Sequence, residues 1–241
     1  MGGVGSLASR PSAIPTGVRH EISALFPAWV SGWESADYAD AEDLYPEERS
    51  VVSRAVEKRR MEFALGRTCA RRALGQLGVA PAPLPAKADR SVAWPAGIWG
   101  SISHAEGLCV AVCARSEHVS GIGVDVEQRQ RVSPHLWPQI AGPRERAWLA
   151  GLPSSEALTF ATALFSAKEA FYKAQHCITQ AWVGFHDAEF ELVDGDTFEI
   201  ALLGAAGVLP AGARFRGRIA LLSDHVVTAM VITPAAGHSR E

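Results

Sequence analysis

The chain has no excess of positive charge, no long apolar run and no ordered pattern of cysteines. Each absence removes a class of function. Its 241 residues carry 23 Lys and Arg against 26 Asp and Glu, a net charge of −3, which excludes a generally basic nucleic-acid binder. No apolar stretch reaches membrane-spanning length, and no signal-peptide core follows the start. Met1-Gly2-Gly3-Val4-Gly5-Ser6 fits the myristoylation pattern, but no basic cluster follows it as a second anchor, so no membrane role is expected. Cys69, Cys109, Cys113 and Cys177 show neither metal-site nor disulfide spacing. Cys109 and Cys113 would share one face of a strand roughly 13 Å apart, too far to bridge. Buried reduced thiols in a cytoplasmic protein are expected. No short-period repeat is present.

What remains is a globular chain with real cores. Residues 1–20 are rich in Gly, Ser and Pro and are expected to be disordered. Pro46 with Glu47 and Glu48 predicts a helix start, and the helical pattern runs to about Leu77, where Gly78 stops it. Arg60, Arg67 and Arg71 share a face of that helix, with Arg59 adjoining. That face is either simply solvated or, given its excess of charge without compensating acids, built for an anionic ligand. Strands are predicted over 98–102, 108–114 and 119–126. Residues 134–176 read as helical with breaks near Gly142-Pro143 and Gly151-Pro153, Trp137 and Trp148 packing among them. Strands follow over 188–193, 197–202, 214–222 and 226–232. The fold class is therefore α+β, in two halves of helix plus antiparallel strands, 21–118 and 119–233, with a tail over 234–241.

Three segments carry chemistry. In Phe165-Ser166-Ala167-Lys168-Glu169-Ala170-Phe171-Tyr172-Lys173-Ala174, Glu169 and Lys173 stand one helical turn apart, as in an intrahelical salt bridge or a catalytic pair. Asp125 and Glu127, in Gly121-Ile122-Gly123-Val124-Asp125-Val126-Glu127, leave the same face of a strand end, which suits the hard oxygen ligation of magnesium. Gly100-Ser101-Ile102-Ser103-His104 reads as a strand ending at a turn, with Glu106-Gly107 following. On its own it is equally a turn with a surface histidine or small hydroxyls, a free N–H and an imidazole that cradle a phosphate. The other seven histidines, His20, His118, His135, His176, His186, His225 and His238, read as structural or surface.

Together with Lys58-Arg59-Arg60-x-Glu62-Phe63, Gly66-Arg67-x-Cys69-Ala70-Arg71 and Trp94-Pro95-x-Gly97, these segments resemble the 4′-phosphopantetheinyl transferases of the surfactin and enterobactin type. Within them the enterobactin synthetase component D-like branch is nearest. The resemblance implies two similar halves about a pseudo-twofold axis with coenzyme A in the cleft between them. It implies that Asp125, Glu127 and Glu169 hold Mg2+ and that Lys173 and His104 contact phosphates. Arg59 and Arg67 would grip the 3′-phosphate, Lys87-Ala88-Asp89-Arg90 would form a nucleotide-contacting loop, and Ser103 would lie beside the ligand. The implied reaction moves 4′-phosphopantetheine from coenzyme A to a serine of an apo acyl or peptidyl carrier protein, leaving adenosine 3′,5′-bisphosphate. Glu169, or alternatively Glu127, would take the serine proton, beside Lys173 and Asp125. A cytoplasmic monomer is expected, with no nucleic-acid partner. A magnesium-dependent nucleotide pyrophosphohydrolase, or a non-catalytic coenzyme A-binding subunit, could use the same residues.

Overall fold

The computed structural model describes residues 22–36 and 43–234. The expected disordered start, its myristoylation pattern and His20 lie outside the described residues. So does the tail beyond Pro234, with His238. The architecture is α+β. Strands β1 (Ser31–Ser35), β2 (Ile98–Ala105) and β3 (Leu108–Arg115) form an antiparallel sheet in the order β1-β3-β2. Strands β4 (Gly121–Gln128), β5 (Ala188–Asp194), β6 (Thr197–Leu202), β7 (Arg214–Leu221) and β8 (His225–Ile232) form a second, in the order β4-β8-β7-β6-β5. Each sheet carries a long helix.

The helix expected from Pro46 to Leu77 is two helices, α1 (Pro46–Val52) and α2 (Glu57–Gln76), with Val56 extended between them. The break lets α1 fold back so that Glu48, fully buried, accepts from Arg71 Nη1 at 2.8 and 3.0 Å and from the amide of Leu84 at 2.7 Å. Arg71 is thus neutralised from another helix, and Arg72 lies over the Trp33 ring. The basic face of α2 is therefore less free than its sequence suggests. Gly78, at φ +74°, stops α2 as expected, in the left-handed conformation that glycine adopts without strain. The apolar stripe of α2 packs on Cys109, Ala111 and Cys113 of β3. All four cysteines are free.

Strand β1 was not legible, because Ser-Gly-Trp-Glu-Ser has little strand character. It holds as an edge by pairing Trp33 with Ala111. Downstream, α3 (Trp137–Ile140), α4 (Pro143–Ala150) and α5 (Ser154–Thr179) fall where the Gly-Pro breaks place them. Trp137 and Trp148 pack against the core under α5, as expected. A buried ion pair ties these helices together. Lys168 Nζ donates to Glu145 Oε2 (2.8 Å) and to the carbonyls of Ile140 and Phe185, while Glu145 also accepts from the amides of Gly142 and Phe190. One apolar cluster, Val110, Val112, Ile122, Val124, Val126 and Val227 among others, crosses from the first sheet to the second.

Candidate active site

Helix α5 lies directly on β4 because two glycines let it. A Cβ on Gly121 would stand 2.1 Å from the carbonyl oxygen of Ala174, and one on Gly123 1.9 Å from that of Ala170. No side chain fits at either place. Alternation carries the same face of β4 on to Asp125 and Glu127, and one helical turn carries α5 from Ala170 to Lys173 and Ala174. The close approach therefore sets the ammonium of one element against the carboxylate of the other.

Lys173 Nζ donates to Asp125 Oδ1 at 2.7 Å and to the Val124 carbonyl at 3.0 Å. Its partner is thus Asp125, and not Glu169 four residues before it on the helix. Asp125 Oδ1 also accepts from Ser103 Oγ at 2.9 Å, while its Oδ2 is buried with no partner. Strand β2 runs on to Ala105, three residues past its expected end, so Ser101, Ser103 and His104 are strand residues and the turn follows at Glu106-Gly107. The hydroxyls of Ser101 and Ser103 instead accept from the amides of Val124 (3.1 Å) and Val126 (3.2 Å). They join the edge of the first sheet to the edge of the second.

Glu127 also lies within its strand, since β4 continues to Gln128. It accepts from Arg131 Nη1 at 2.6 Å. Burial, then the neighbouring charge of Asp125, pushes its carboxyl above the usual range. Burial raises Glu169 as well, with Lys173 opposing and Asp125 adding to the rise. Among the described residues, no three His, Cys, Asp or Glu side chains are gathered closely enough to hold a metal ion; Asp125 is turned to Lys173 and Ser103, and Glu127 to Arg131. Their chemistry nevertheless fits one. They are hard oxygen donors, crowded enough to feel each other's charge, and one buried carboxylate oxygen has nothing to bond.

The alternate face of β2 carries His104 toward α2, where Arg59 Nη1 meets its Nε2 at 2.9 Å. Burial pulls the imidazole below its ordinary pKa. Arg67 lies deeper, 5% exposed, with Nε donating to the Leu84 carbonyl at 2.7 Å and its guanidinium over the Phe63 ring. Burial lowers it to about 10, so it remains a cation at neutral pH.

The loop that contains Lys87, Ala88, Asp89 and Arg90 is a tight hairpin tip, closed by an Ala86–Val92 bridge and by Asp89 Oδ1 accepting from the amide and hydroxyl of Ser91. With Trp94 and Trp99 it forms one wall of a cleft of about 360 Å³, and Tyr172, Lys173 and His176 of α5 form the other. Of the expected site residues, Lys87, Asp89, Arg90 and Lys173 line this cleft. His104 lines a second cavity of about 420 Å³ beside Glu62 and Lys58. His176, expected as structural or surface, stands in the cleft wall with Nε2 4.0 Å from Asp89 Oδ2. Its spacing of three from Lys173 could have shown it.

Comparison with known proteins meets this geometry from both sides of the seam. Residues 47–114 match the 4′-phosphopantetheinyl transferase N-terminal domain, and residues 121–228 match the 4′-phosphopantetheinyl transferase superfamily. The chain is 37% identical to the 4′-phosphopantetheinyl transferase Svp of Streptomyces mobaraensis, over 91% of this chain and 92% of that one. It is 36% identical to the 4′-phosphopantetheinyl transferase PptT of Mycobacterium tuberculosis (88% and 97%) and 30% identical to enterobactin synthase component D of Salmonella typhi (88% of each). The chain is an enzyme that belongs to the 4′-phosphopantetheinyl transferase superfamily.

Proposed function

We propose that this enzyme transfers 4′-phosphopantetheine from coenzyme A to a serine hydroxyl of an apo carrier protein, with adenosine 3′,5′-bisphosphate leaving and magnesium required. The observation that carries the reading is Asp125. It is a buried carboxylate held on one oxygen by Lys173 and Ser103 and orphaned on the other, where β2, β4 and α5 converge. Asp125, Glu127 and Glu169 would hold the metal, which when bound supplies positive charge for the pyrophosphate. Lys173 places its ammonium where negative charge develops on the transferring phosphoryl group. Glu169, its carboxyl raised by burial toward the working range of a general base, accepts the serine proton. Lys87, Ala88, Asp89 and Arg90 receive the nucleotide in the cleft, Arg59, Arg67 and His104 receive the 3′-phosphate, and Ser103 holds Asp125 in place. Four free cysteines and a net charge of −3 support work in a reducing, cytoplasmic setting away from nucleic acid, and we read the chain as a monomer. No described helix is long and apolar enough to cross a membrane.

The test is incubation with coenzyme A, magnesium and a panel of apo carrier domains, read by carrier mass. A phosphopantetheinyl mass gain that disappears in Asp125→Ala is expected. Cleavage of coenzyme A with no carrier gaining mass would replace this reading with a pyrophosphohydrolase.

A further inference from the structure

The corner formed by Arg59 and His104 holds a third charged side chain, one with no part in the reaction above. Glu62 stands one helical turn beyond Arg59, with Oε2 3.5 Å from Arg59 Nη1 and 3.8 Å from His104 Nε2. Both distances exceed a hydrogen bond and lie well within the reach of charge. A guanidinium only donates. The 2.9 Å contact between Arg59 Nη1 and His104 Nε2 therefore makes Nε2 the acceptor, so the imidazole is neutral with its proton on Nδ1. A lone pair at Nε2 repels a phosphate oxygen, and the ring can bind one there only after gaining a proton. Burial opposes that gain most, Glu62 favours it, and Arg59 of α2 and Lys173 of α5 oppose it in turn. Glu57, Lys58 and Glu106 line the same cavity, and Glu62 is the carboxylate within salt-bridge distance of the ring among the described residues.

We propose that Glu62 is a positioning residue for phosphate capture, the counter-charge that lets His104 take a proton from solvent as a phosphate monoester arrives. The proton lands on Nε2, whose N–H then donates to a phosphate oxygen. Arg59 Nη1–H turns from the imidazole to the same phosphate. Glu62 meanwhile stays beside both cations and keeps the imidazolium from standing alone between Arg59 and Lys173. The inference rests on the reading that Arg59 and His104 receive the 3′-phosphate of coenzyme A.

The experiment is calorimetric titration of the full chain with coenzyme A and with dephospho-coenzyme A, near neutral pH, in two buffers of different ionisation enthalpy. The difference between buffers counts protons. Net proton uptake with coenzyme A and little with the dephospho compound is expected. The phosphate's own ionisation runs the other way, because cations favour its dianion. Glu62→Gln should abolish most of that uptake and weaken coenzyme A by roughly tenfold. Dephospho-coenzyme A binding should be unchanged, and Glu62→Asp should restore most of the uptake. Unaltered uptake in Glu62→Gln, or equal loss for both nucleotides, overturns the role of Glu62 alone. Equal affinity of the wild type for the two nucleotides overturns the 3′-phosphate reading beneath it.

Discussion

Asp125 and Lys173 show how a short spacing can mislead at the residue scale. The sequence offers Lys173 a partner four positions back, and the fold brings it one from 48 positions away. Glu169 thereby lacks the direct ion pair expected of a simple helical pair, and burial raises its carboxyl against the opposing charge of Lys173. If it takes the serine proton, Glu169→Gln should lower the single-turnover transfer rate by a factor on the order of 10²–10⁴. Coenzyme A affinity should stay near wild type, because the contacts of Arg59, Arg67 and His104 do not need the carboxylate. Lys173→Ala should weaken coenzyme A binding as well as slow transfer. A Glu169→Gln enzyme with a normal single-turnover rate would move the base to Glu127. The identities of these residues were legible because alternation along β4 and the turn spacing of α5 are local properties. The remote role of Glu48 was not, since it depends on what packs opposite it, whereas the cleft position of His176 was open to the same turn-spacing argument.

At the scale of elements, the decisive contact is α5 on β4. The use of Gly121 and Gly123 becomes visible only with Ala170 and Ala174 laid against them. Gly123→Ala would drive a methyl group into a backbone carbonyl that cannot swing away. The expected loss is about 1–3 kcal/mol in urea unfolding, with transfer activity falling as Lys173 is displaced from Asp125. Wild-type stability in that variant would show that helix and strand separate freely. Most helices and strands were legible from period and from Gly-Pro breaks. The interruption between α1 and α2 was not, since residues 53–56 contain no Gly or Pro, and the gain from it lies in the remote pairing of Glu48 with Arg71.

For the whole molecule, the raised carboxyls of Glu127 and Glu169 make stability depend on pH in a predictable direction. Their folded-state values lie above the ordinary 4.5, so the folded protein holds more protons than the unfolded chain in the window just above 4.5. Stability from these two groups is fully present below that value and is lost as pH rises through the folded-state values. In chelator-treated protein, Glu169→Gln should therefore gain stability relative to wild type as urea unfolding is moved from pH 4.5 toward 7. A constant difference across that range would show that Glu169 is not destabilised by burial. Added magnesium should narrow the gap. How the two sheets meet was the least legible level, because it turns on serines that looked like part of a phosphate loop. Those serines have a mechanical meaning. No backbone ladder joins β2 to β4, and the Ser101 and Ser103 hydroxyls serve as two pegs between otherwise complete sheets. The apolar cluster that crosses from one sheet to the other packs beside them. One of the pegs also grips Asp125, so any opening of the joint between the sheets would disarm the carboxylate in the same movement.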